Sequence, residues 1–97
     1  MMEPTMRKIL RHWPFERMRL ESANPDTLVG VLIITCEREG KYWPVAAFQV
    51  PLAGARFSAS AFAGLCKGSL GVLYVTVADP GERTRILTEV RALIRGK

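Results

Sequence analysis

The sequence predicts a small α+β domain: a mostly antiparallel sheet of three or four strands, two helices packed on one face, and a short N-terminal helix. Three observations carry this. Two apolar runs, Leu28 to Cys36 and Tyr42 to Val50, flank the charged, glycine-ended turn Glu37-Arg38-Glu39-Gly40-Lys41 and read as a β-hairpin. Ser69 to Ala78 alternates, with Leu73, Val75 and Val77 on one side and Val72, Tyr74 and Thr76 on the other. Asp79-Pro80-Gly81-Glu82 then precedes a stripe of period 3.6, which marks a helix start.

The 97 residues suit one domain over positions 1–97, with 1–5 as a loose tail. With 48% hydrophobic and 24% charged residues, the body of the chain is expected to fold around a core.

Taken in order, Met6, Ile9, Leu10 and Trp13 fall at i, i+3, i+4 and i+7, the apolar stripe of a short helix. Pro14 ends it, because the residue before a proline avoids the α region. Phe15 to Glu21 alternates weakly and is read as an edge strand, with Met18 and Leu20 opposite Arg17 and Arg19. The cluster Ser22 to Thr27 turns the chain into the central strand. That strand, rich in β-branched residues, is expected to be buried on both faces. Gly40 supplies the positive φ of the hairpin turn. In the second hairpin strand Pro44 cannot donate to a ladder, so the strand is an edge or is bulged near its start.

Ser58 is the expected N-cap of a helix over 58–67, with Phe57 and Phe62 as a hydrophobic staple and Gly68 as the stop. Ala59, Ala61, Ala63 and Gly64 give it a small surface that another backbone can approach. The last helix places Ile86, Leu87, Val90, Leu93 and Ile94 toward the sheet, pairs Arg85 with Glu89 and ends at Gly96.

The formal net charge of +5 favours an acidic partner. The leading reading is a small nucleic-acid-associated protein. Arg7, Lys8, Arg11, Arg17 and Arg19 would contact phosphates, and Trp13 or Tyr42 would stack on bases. Against it stands the structural reading, in which Trp13 and Phe15 anchor the N-terminal segment and the charges are merely solvated. The alternative function is a protein-interaction or homodimeric subunit that uses Tyr42, Trp43 and Phe48 on the edge strand. Arg83, Arg85, Arg91, Arg95 and Lys97 form a second basic group, for which the helix dipole is sufficient explanation.

Catalysis has little footing. His12 is the single histidine and lies among cations, and no pair of acids has the spacing of a metal or acid–base site. The segment Gly64 to Gly71 lacks Walker spacing and leads from helix to strand, the wrong direction for a phosphate loop. No cofactor, metal or membrane span is expected. Cys36 and Cys66 show no metal-binding or CxxC spacing; they are expected as free thiols in a reducing cytoplasm.

Overall fold

The structure is a computed structural model that describes residues 4–52 and 59–95. Its elements run α1 (Pro4–His12), β1 (Glu16–Met18), a 3-10 turn (Leu20–Ser22), β2 (Gly30–Arg38), β3 (Lys41–Val50), α2 (Ala59–Phe62), a second 3-10 turn (Ala63–Leu65), β4 (Ser69–Thr76) and α3 (Pro80–Arg95). The four strands form one antiparallel sheet in the order β1-β4-β2-β3. This is the expected α+β class.

β2 is central, and it is buried from Gly30 to Cys36. Val31, Leu32, Ile33 and Ile34 each have 0% exposure. A strand alternates its side chains between faces, so four such residues in succession require cover on both sides. On one side Val31 and Ile33 meet Ile9 of α1 and Ile86, Leu87 and Val90 of α3. On the other, Leu32 and Ile34 meet Leu20, Ala23, Val50, Phe62 and Tyr74. Each fully buried aliphatic side chain contributes about 1.5–3 kcal/mol through removal from water.

The hairpin follows its local chemistry. Arg38 pairs with Lys41, leaving Glu39 (φ 55°) and Gly40 (φ 75°) as a two-residue turn with both central φ angles positive. Register then shifts: Ile34 pairs with Ala46 but Thr35 with Pro44, so Val45 is extra. β3 is therefore both an edge strand and bulged beside the proline that cannot donate. At the other end of β2, Gly30 takes φ 150°, and a Cβ there would collide with the Val75 carbonyl.

α3 begins as its sequence implies. The Glu82 amide donates to Asp79 Oδ2 at 2.9 Å, and the Arg83 amide to the Asp79 carbonyl at 3.1 Å. Its predicted apolar face packs on the sheet.

Several expectations need correction. The helix after β3 does not share the face of α3. Phe62 packs with Leu32 and Ile34 on the opposite side, and it is α1 that lies beside α3. α2 is also short: the chain tightens to a 3-10 turn and stops at Leu65 rather than Lys67. Cys36 and Cys66 are not free thiols but form a disulfide, with Cα atoms 5.5 Å apart. Cys36 belongs to the alternation of Leu32 and Ile34, so the crosslink holds Cys66 and its segment on that face. The free-thiol argument for a reducing compartment falls with it.

Smaller differences remain. β1 covers only Glu16–Met18, because the chain turns at Leu20 to bury that side chain. α1 starts at Pro4, so positions 4–5 of the expected tail are helical. Arg85 pairs with Glu82 at 3.5 Å, one turn earlier than expected. The Ser58 cap, the Phe57 staple and the Gly96 stop lie outside the described residues.

Two stability predictions result. The disulfide closes a loop of sequence separation 30, which in the chain-entropy account is worth about 3–4 kcal/mol. Cys66→Ser should lower the unfolding free energy in urea by about 3 kcal/mol, and reductant should destabilise the wild type but not the variant. Glu39→Asn should stabilise the protein by about 0.5–1 kcal/mol, since asparagine tolerates the left-handed region better than glutamate. An unchanged or lower urea midpoint would contradict that turn geometry.

Candidate nucleic-acid interface

Helices α1 and α3 form one layer over the sheet, tied by packing and by a hydrogen bond from Trp13, just after α1, to Glu82 of α3. Ile9, 3% exposed, lies in the core they share with Val31 and Ile33, and Leu10, Trp13 and Phe15 pack around it. The Trp13 indole Nε1–H donates to Glu82 Oε2 at 3.3 Å. Trp13 thus joins the two helices, half-buried, with the His12 ring set edge-on at 5.2 Å.

This layer holds the charge. α1 carries Arg7, Lys8 and Arg11, and α3 carries Arg83, Arg85, Arg91 and Arg95, against only Glu82 and Glu89. Seven cations less two acids is +5, the formal net charge of the whole sequence. The other residues, seven basic and seven acidic, balance.

Within the layer the cations differ in what they touch. Arg83 donates to the Ala78 carbonyl at 3.0 Å and Arg91 to the Ala47 carbonyl of β3 at 3.3 Å. Arg85 pairs with Glu82. Lys8, Arg11 and Arg95 are exposed and make no hydrogen bond or ion pair among the described residues. Between the helices runs a groove of about 260 Å³, lined by Lys8, Ile9, His12, Trp13, Arg85 and Glu89.

Arg17 is committed elsewhere. Its guanidinium bonds Glu37 Oε2 at 3.0 Å and lies 4.6 Å from the Tyr42 ring centroid. Arg17 starts from β1 and its partners sit on β2 and β3, so its side chain crosses β4 diagonally. Arg19 is exposed just after β1, in a shallow depression lined also by Arg17, Glu21 and Leu70. The six residues expected to meet nucleic acid therefore divide. Arg7, Lys8, Arg11 and Trp13 belong to the helical layer; Arg17 lies on the same side of the sheet, in a depression with Leu10 of α1 and Phe15, but is paired with Glu37, and Arg19 stands apart by Glu21.

The aromatics of β3 divide as well. Tyr42 pairs in register with Glu37 on the helical side. Trp43 pairs with Cys36 on the other side, and Phe48 packs there edge-on to Phe62 at 6.4 Å. Sequence reasoning missed the contribution of α3 to the basic face, because α1 and α3 are far apart in the chain. The signal it could have used is the confinement of acids to Glu82 and Glu89 within the last helix.

No family model, no curated protein and no solved structure matches this chain. Among the described residues no helix is long and apolar enough to cross a membrane, and no group of three or more His, Cys, Asp or Glu is placed to hold a metal.

Burial raises the Tyr42 phenol above its usual value of 10.0, and its hydrogen bond to Glu37 adds to the shift while Arg17 opposes it. A raised folded-state value means that this contribution to stability is complete below pH 10 and is lost as pH rises through the folded value. The phenolate absorbance titration, taken as wild type minus Tyr42→Phe, should have its midpoint above 10. A midpoint at or below 10 would contradict the packing of this ring.

Proposed function

We propose that this protein binds the phosphate backbone of a nucleic acid across the outer side of the α1–α3 layer. One observation carries the reading: the net +5 of the chain is the balance of these two helices alone. Dispersed surface charge serves solubility, but charge gathered on one face concentrates a polyanion there and steers its approach. Lys8, Arg11 and Arg95 are the side chains with unspent donors, and Arg85 and Arg91 add field while held by their own contacts. Arginine suits the role because its planar fork meets phosphate oxygens in pairs.

Association through the β3 edge has less behind it. Tyr42 stands on the opposite face from Trp43 and Phe48, and Arg91 occupies a carbonyl of that strand.

The test is binding of a labelled mixed-sequence oligonucleotide across a salt series, comparing Lys8→Glu/Arg11→Glu/Arg95→Glu with a control, Arg38→Glu/Lys41→Glu, at the hairpin turn. Loss of three phosphate contacts should weaken binding at least tenfold and flatten the plot of log K against log salt by about 2 for a single strand. Equal losses in both variants, or binding insensitive to salt, would contradict a site on the helical layer.

A further inference from the structure

We infer that the nucleic acid is single-stranded and that one of its bases seats in the groove between α1 and α3. This rests on the reading above and names the ligand of that same face.

The groove differs in character from its rim. Its floor is Ile9, 3% exposed, and one wall is Trp13. The indole N–H is already given to Glu82, so the ring surface is what Trp13 presents to an occupant. Lys8 and Arg85 line the groove, but Glu89 lines it too, and Glu82 holds Arg85 from beside it. The interior is thus close to charge balance, whereas Arg11 and Arg95 outside it have no counter-charge among the described residues.

A phosphate placed inside would meet the Glu89 carboxylate; a neutral, flat heterocycle would not. The 260 Å³ of the groove accommodates a ring of that kind. Glu89 accepts hydrogen bonds and so matches the amino donors on the edge of a base, which leaves the Lys8 ammonium to the phosphates. Phosphates on either side would then meet the cations of α1 and α3 outside the groove. In a duplex the bases are stacked inside and cannot enter, so only a single strand uses both parts of the surface.

The experiment uses the full chain with Trp43→Phe, which leaves Trp13 as the sole reporter of the two tryptophans. Three probes of equal length are titrated: a single-stranded oligonucleotide, its duplex, and an abasic phosphodiester strand. The single strand should quench Trp13 emission and bind about tenfold tighter than the abasic strand, the ratio expected for one stacked base. Because Trp13 also packs against the core, the second variant is Glu89→Phe, an exposed position where the new ring fills the groove from outside. It should bring the ratio of single-strand to abasic affinity close to one. If all three probes bind alike and Trp13 emission does not change, the base site is overturned and the phosphate reading stands. Should none of them bind, both fall.

Discussion

The whole arrangement depends on a single strand that has no solvent face. β2 places Val31 and Ile33 on one side and Leu32 and Ile34 on the other, all at 0% exposure, and neither side can be left open. The two covers are built differently. One is a layer of regular helix, α1 beside α3, whose outer surface is long enough to carry a charge pattern. The other is assembled from short pieces, namely the turn at Leu20, Ala23 and the segment around Phe62. Short pieces lose much conformational entropy for little buried area, and here a covalent link from Cys66 to the buried Cys36 offsets part of that loss. Polar groups at this end are also accounted for. The Tyr74 hydroxyl accepts from the Val29 amide, donates to the Val29 carbonyl and receives Thr76 Oγ1, so a buried ring keeps its polar tip bonded.

This asymmetry is what the proposed function builds on. Because α1 and α3 cover the same face, cations that are scattered in the sequence become neighbours, while the remainder of the molecule is neutral by formal charge. Trp13 joins the helices through Glu82 and forms a wall of the groove between them. In the proposed function, structural and binding roles would meet in one residue: the indole that docks α1 also lines the space a base would enter.

What could be read from the sequence was what is local. The hairpin turn at Glu39-Gly40, the proline-marked bulge in β3, the alternation of β4 and the Asp79 cap each depend on residues a few positions apart. Local misreadings shifted element ends and one i, i+3 ion pair; the failures that changed the architecture involve distant partners. Nothing near Cys66 in the sequence reveals that Cys36 waits across the sheet, and without that link the side taken by α2 is undetermined. The Arg17–Glu37–Tyr42 group spans three strands, so it forms only once β1, β2 and β3 share one sheet. Of the basic cluster, the part on α1 was legible because it shares one helix; its completion by α3 needed the fold.

The central claim is that nucleic acid meets this protein on the α1–α3 layer, and amide chemical-shift mapping with a short single-stranded oligonucleotide addresses it most directly. The account predicts that perturbations concentrate within α1 and α3 and at Trp13, greatest around Lys8, Arg11, Arg85 and Glu89, with β3 and the segment leading to Cys66 unmoved. Perturbations centred on Trp43 and Phe48, or spread evenly over the surface, would contradict it.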